Sequence, residues 1–219
     1  MKRGDFLTNL RFSYMHKPMN IKDLFGNIDI YLFDQILKGR FDSKMRILDA
    51  GCGGGRNIVY FLRQGFEVFG TDQNADAINA IQNSAKNISP NYPIENFQIS
   101  TVEKMPFDDN FFDLVISSAV LHFAQDEIHF NQMFDEMWRV LKPNGILFAR
   151  LASDIGIENL VKNLNGRRFL LPDGSERFLV NEEMLIDKIT KLNGTFLEPI
   201  KTTNVQNLRC MTTLVLRKN

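Results

Sequence analysis

The chain has 219 residues, 44% of them hydrophobic, with 26 Lys plus Arg against 26 Asp plus Glu. A net charge of zero leaves no electrostatic footprint for nucleic acid or an anionic membrane surface, and no apolar run approaches the ~18 residues that span a bilayer. Met1-Lys2-Arg3-Gly4-Asp5 leads into no apolar signal-peptide core, and two cysteines, Cys52 and Cys210, suit a reducing compartment, so the expectation is a cytoplasmic protein, monomer or homodimer, without a metal centre.

Taken in chain order, residues 21–39 read as one helix, with Leu24, Phe25, Ile28, Tyr31, Leu32 and Ile36 at helical spacing and Gly39 ending it. Met45 to Ala50 is a first strand, Asn57 to Gln64 a helix and Phe66 to Thr71 a second strand. Ala75 to Asn87 is a helix with Ile78, Ile81 and Ala85 on one face, and Ser89-Pro90-Asn91-Tyr92-Pro93 breaks it. Ile94 to Ser100 and Phe112 to Ser118 are the third and fourth strands. Gln125 to Leu141 is a helix whose inner face carries Phe130, Met133, Phe134, Met137, Trp138 and Leu141; these aromatics read as core. Ile146 to Leu151 is the fifth strand, Glu182 to Leu192 a late helix, and Thr195–Lys201 and Cys210–Arg217 the last two strands. No linker or repeat interrupts the series, so one α/β domain over 1–219 is expected.

The most informative stretch is Ile47-Leu48-Asp49-Ala50-Gly51-Cys52-Gly53-Gly54-Gly55-Arg56-Asn57. A strand running into a glycine loop and then a helix is the nucleotide-binding corner of an open parallel sheet. The dinucleotide fingerprint needs a small third residue for close helix–strand packing. Gly51 and Gly53 fill the first two places, but the third is Arg56, which argues against NAD or FAD. No Gly-Lys-Ser/Thr follows, so a P-loop is excluded as well. Asp72 ends the second strand 21 positions after Gly51, near the offset at which a carboxylate meets a ribose diol. Two other uses stay open: Asp72 or Asn74 capping the next helix, and Cys52 as a small filler rather than a nucleophile.

These segments resemble the class I S-adenosylmethionine-dependent methyltransferases. The resemblance rests on Leu48 to Gly55, on Asp72, on Val102-Glu103-Lys104-Met105-Pro106-Phe107 with the run to Ser117, and on Leu141-Lys142-Pro143-Asn144-Gly145-Ile146-Leu147, in the family's order across 46–150. It implies a Rossmann-like, doubly wound, seven-stranded sheet, mostly parallel with an antiparallel last strand, and S-adenosylmethionine as cofactor. Gly55-Arg56-Asn57, Tyr60-Phe61-Leu62, Gly65 to Val68 and Asp72-Gln73-Asn74 look like the tellurite-resistance (TehB-like) branch, which hints at small, soft acceptors. Many relatives carry an Asp that accepts from the adenine amino group; its place here is Thr101, so a hydroxyl or the backbone of Val102 is left for that contact.

Ligands bind at the carboxyl ends of the strands in such sheets. The expected cofactor residues are therefore Asp49, Gly51, Cys52, Gly53, Asp72, Gln73, Thr101, Val102, Glu103 and Ser117. His122, just past the fourth strand, is the best placed base, with a packing histidine as the alternative; His16 and His129 have weaker claims. Arg150 could hold an anionic acceptor, and so could Arg167 and Arg168, unless those two are a surface pair. Residues 1–44 are expected to form an N-terminal helical segment whose start, with Arg11, Phe12, Tyr14 and His16, closes as a lid. Residues 153–192 are expected to be an insert and late helix shaping the substrate side. Ser117-Ser118-Ala119-Val120 stands where amino-methylating enzymes of nucleic acid bases resemble one another in an Asn/Asp-Pro-Pro-aromatic motif. The expected acceptor is therefore a small molecule, methylated by in-line displacement. The rival from another class is a cofactor-binding regulator or scaffold without turnover.

Overall fold

The computed structural model describes residues 20–219; the first nineteen residues, on which the lid expectation falls, lie outside that range. The expected single helix over 21–39 is two. α1 (Ile21–Phe25) stops at Gly26, whose φ of 63° turns the backbone left-handed. α2 (Ile30–Leu37) restarts because the Asp29 carboxylate accepts the Tyr31 N–H at 3.0 Å as an N-cap.

β1 (Arg46–Ala50), α3 (Val59–Arg63), β2 (Glu67–Asp72), α4 (Ala75–Ile88), β3 (Phe97–Ile99), β4 (Phe112–Ser118), α5 (Glu127–Val140) and β5 (Leu141–Ser153) then follow, strand and helix alternating except between β3 and β4. β3 is shorter than expected, since Ile94–Asn96 turns as a 3-10 helix. After β5 the insert holds three short strands that the hydrophobic pattern does not announce: β6 (Lys162–Asn165), β7 (Arg168–Leu170) and β8 (Glu176–Phe178), a separate antiparallel sheet. α6 (Glu182–Lys191) follows. The strand expected at 195–201 is two pieces, β9 (Gly194–Phe196) and β10 (Lys201–Val205), before β11 (Arg209–Lys218).

The main sheet runs β10-β11-β5-β4-β1-β2-β3, with β9 beside β11. β1 pairs in parallel with both β2 and β4, and β11 is antiparallel to β5 and to β10. The order reverses between β1 and β4, which opens a crevice at their carboxyl ends. Neighbouring residues of a strand face opposite layers. Leu48 joins the core of α5 and α6, through Phe130, Phe134, Met137 and Leu185, while Ile47 joins the core of α2, α3 and α4, through Leu32, Phe61 and Ile81. The expected inner faces of α4 and α5 are buried as read, Trp138 included.

Candidate active site

The loop after β1 is shaped by what a side chain would strike. At Gly51, φ is 77° and an added Cβ would lie 2.6 Å from Val120 Cγ2. Gly53 is also left-handed but faces open space. The Gly51 and Cys52 N–H groups both donate to the Thr71 carbonyl at 2.8 Å, which ties the loop to the end of β2. Cys52 is buried under Gly70, where a Cβ would come within 3.0 Å of its sulfur. Burial and the Asp49 and Asp72 charges push its thiol far above the ordinary range, which agrees with a small packing side chain.

Asp72 stands at the end of β2 with each carboxylate oxygen already holding a backbone N–H: Gly53 donates to one and Asn74 to the other, both at 2.9 Å. The cap of α4 is Asn74, whose side chain accepts from Asp76 and Ala77. Asp72 is left fixed between two loops, facing a cavity of about 450 Å³. Gly51, Gln73, Thr101, Val102 and Glu103 line this cavity with it, all from the expected set. Asp49, Cys52, Gly53 and Ser117 do not line it. Ser117 is fully buried, and Ala119 and Val120, just after it, line the cavity. Asp49 is buried beneath the loop, one carboxylate oxygen without a partner, and desolvation raises its pKa to about 7 against the pull of Arg56. His129, read as lying on the polar face of α5, reaches this cavity and sits 3.6 Å from Glu103.

A second cavity, about 290 Å³, is lined by His122, Arg150, Arg177 and Arg209 among others, and Ala119 borders both spaces. Ala119 has φ of 65°, unusual for a residue with a Cβ, and its N–H donates to the Arg150 carbonyl at 2.8 Å. His122 is 6% exposed. Burial, with the Arg177, Arg150 and Arg209 charges, lowers its pKa to about 4. Its Nδ1 accepts the Ala152 N–H at 3.3 Å.

Arg150 is not free. Its guanidinium donates to the buried Asp29 carboxylate at 3.1 Å and lies 5.3 Å from the centre of the Tyr31 ring. Ser118 donates to the same Asp29 oxygen at 3.2 Å, Arg56 donates to Ser118 at 2.8 Å, and the Asp29 N–H donates to Asn57 Oδ1 at 3.0 Å. Arg56, the residue that breaks the dinucleotide fingerprint, thus joins loop, strand and α2. Arg167 and Arg168 do not reach the His122 cavity: Arg167 pairs with Asp154 at 2.7 Å, and Arg168 bonds the Ala124 carbonyl. Arg177 of β8 and Arg209 of β11 line it instead; sequence reasoning missed the first because the insert strands carry no clear periodicity, and the second because it stands one residue ahead of the strand expected at 210–217. Asp29 was legible as an Asp ahead of an apolar helix start, shortly after a glycine. A further groove, about 600 Å³ between α5 and α6, shares no residue with either cavity. No helix among the described residues is long and apolar enough to cross a membrane, and none of them form a His/Cys/Asp/Glu group that could hold a metal.

Residues 48–149 match the family described as "Methyltransferase domain". Similar proteins include an uncharacterised methyltransferase of Synechocystis sp., 32% identical over 101 residues that make up 46% of this chain and 44% of the relative. The chain spans about half the length of the curated relatives it matches. Among solved structures, a SAM-dependent methyltransferase of Methanosarcina mazei aligns at TM-score 0.63 and 20% identity, over 84% of this chain and 96% of that one. The 1,6-didemethyltoxoflavin-N1-methyltransferase of Burkholderia thailandensis, with 1,6-didemethyltoxoflavin and S-adenosylhomocysteine bound, aligns at 0.62 and 18%, over 84% and 76%. The sheet order, the loop after β1 and the match over 48–149 agree: residues 48–149 carry a methyltransferase domain similar to the class I S-adenosylmethionine-dependent methyltransferases, whose cofactor is S-adenosylmethionine.

Proposed function

We propose that the chain transfers a methyl group from S-adenosylmethionine to a small-molecule acceptor by in-line displacement. The observation that carries this reading is the pair of cavities meeting at Ala119, one at the carboxyl ends of β1 to β4 and one beside it lined by His122 and arginines. A regulator that only binds the cofactor has no use for the second space.

The residues present fit the cofactor. Gly51 leaves a backbone cradle that a Cβ would close, and the partnerless Asp49 oxygen lies beneath the loop. Asp72 would hold the ribose hydroxyls with the lone pairs its two backbone donors leave unused. Thr101 and Val102 would border the adenine, with Gln73 and Glu103 at the rim. When bound, the cofactor supplies an electrophilic methyl group, so the hard chemistry is not the protein's. The chain's own work is to orient the acceptor along the S–CH3 axis and to exclude water.

Calorimetry tests the cofactor. S-adenosylmethionine and S-adenosylhomocysteine bind, and Asp72→Ala weakens both at least about tenfold through loss of charge-assisted hydrogen bonds; binding of NAD instead of either refutes the reading. A labelled-methyl screen over thiols, selenite, tellurite and small carboxylates tests turnover, and the absence of transfer to any of them favours the regulator.

A further inference from the structure

We propose that the methyl acceptor is a carboxylate, gripped by Arg177 and Arg209 in the second cavity, with His122 donating a hydrogen bond from Nε2 rather than acting as a base. This deepens the reading above and rests on it. Among the described residues, the wall of that cavity carries three guanidinium groups and no carboxylate. Arg150 is committed to Asp29 at 3.1 Å. The other two are less occupied: Arg177 donates to the Glu176 carbonyl and lies 5.0 Å from the centre of the Phe123 ring, while Arg209 stands 3.6 Å from Asp173 on an exposed side chain. Two guanidiniums beside a small cavity match the planar fork of a carboxylate.

The histidine decides the protonation of the acceptor. A neutral imidazole has one donor and one acceptor nitrogen. The Ala152 N–H, buried in β5, occupies the Nδ1 lone pair at 3.3 Å, so the ring proton sits on Nε2. A ring in that tautomer has no lone pair to take a proton from the acceptor. Burial and the neighbouring arginines keep it neutral. An alcohol or amine acceptor that must lose a proton as it reacts finds no base among the described residues lining this cavity; a carboxylate needs none. In the step, a carboxylate oxygen forms the new O–CH3 bond as the S–CH3 bond breaks. The electron pair returns to sulfur, the negative and positive charges cancel, and no proton moves. The product is a methyl ester.

The test uses the full chain with S-adenosylhomocysteine bound, so that cofactor binding is verified before any acceptor is added. Failure at that stage refutes the methyltransferase reading rather than this one. Imidazole-labelled protein, with His122 assigned through His122→Gln, is then titrated with acetate, succinate, glutarate, benzoate and phenylacetate, and with their amides. His122 is expected to stay neutral with its proton on Nε2 from pH 5 to 8, and its Nε2 signal to move with an acid and not with the matching amide. Arg177→Gln and Arg209→Gln each weaken that response at least tenfold and leave S-adenosylhomocysteine affinity within twofold. With labelled S-adenosylmethionine, the responding acid yields a product whose methyl is released as methanol in mild base. A proton on Nδ1, an equal response to amides, a response to neither class, or a base-stable product overturns the proposal.

Discussion

Asp29 is the residue whose loss should reach furthest, because one carboxylate serves two structures. Its Oδ1 caps α2 through the Tyr31 N–H at 3.0 Å, and its Oδ2 accepts from Arg150 at 3.1 Å and from Ser118 at 3.2 Å. The Asp29 side chain is 1% exposed, that of Arg150 21%. Replacing Asp29 by Ala removes the cap, worth about 1 kcal/mol, and strands a mostly buried guanidinium. Breaking a buried pair from one side costs about 3–5 kcal/mol; the fifth of Arg150 that water reaches puts this case at or below the lower figure. Asp29→Ala should therefore destabilise the fold by about 3–4 kcal/mol. Asp29→Asn retains a good capping side chain and a polar partner for Ser118 while losing the charge, so about 1–2 kcal/mol is expected. Urea unfolding followed by circular dichroism measures both. The order Ala worse than Asn, separated by at least about 1 kcal/mol, is the required outcome. Equal losses for the two variants, or an Ala variant as stable as the parent, would refute the two-role reading of the carboxylate.

Gly51→Ala meets Val120 Cγ2 at 2.6 Å in a left-handed backbone, whereas Gly39→Ala has φ of 66° and nothing within 4 Å. Both carry the backbone cost of about 1–2 kcal/mol, and Gly51→Ala should exceed Gly39→Ala by a further ~1–3 kcal/mol in thermal unfolding and should weaken S-adenosylhomocysteine binding; equal losses would count against the cradle. Stability against pH should be nearly flat between about pH 4 and pH 6.5 as far as two buried groups govern it. His122, lowered to about 4 in the fold, costs stability as pH falls below its unfolded value of ~6.5, because only the unfolded chain takes up that proton. Asp49, raised to about 7, does the opposite: its protonated folded form loses stability as pH rises from ~3.9 to 7. Asp49→Asn should therefore expose a rise in stability with pH over that window, and His122→Gln a fall, each about 1.4 kcal/mol per pH unit; slopes of the same sign in the two variants would refute the assignment.

How much of this was legible in the sequence follows from where the determinants lie. β1, β2, β4 and α5 were readable because their apolar residues have nowhere to go but the two cores, and the loop at 51–55 was readable because its glycines answer to local sterics. That Asp72, Gln73, Thr101, Val102 and Glu103 line the cavity at the strand ends follows from a positional rule, which needs only chain order. The break at Gly26 was in the sequence but was outvoted by helical spacing on either side of it. The insert strands were not readable: β6 is exposed at all four positions and β7 half-buried at all three, so neither alternates. Ser117 shows the limit of the strand-end rule, since a residue's neighbours across the sheet decide whether its side chain faces the crevice or the core.

That limit bears on the chemistry. His122 was a plausible base on position alone, and its position is next to the crevice as expected. What position leaves undetermined is which nitrogen holds the proton, and this is set from β5, thirty residues later, by the Ala152 N–H. The same strand supplies Arg150, whose charge is spent on Asp29 at the start of α2. Long-range partners thus take a candidate base and a candidate anion clamp and turn one into a donor and the other into a brace. The groups left facing the acceptor cavity with charge to spare are Arg177 and Arg209, from the two stretches whose sequence said least about function.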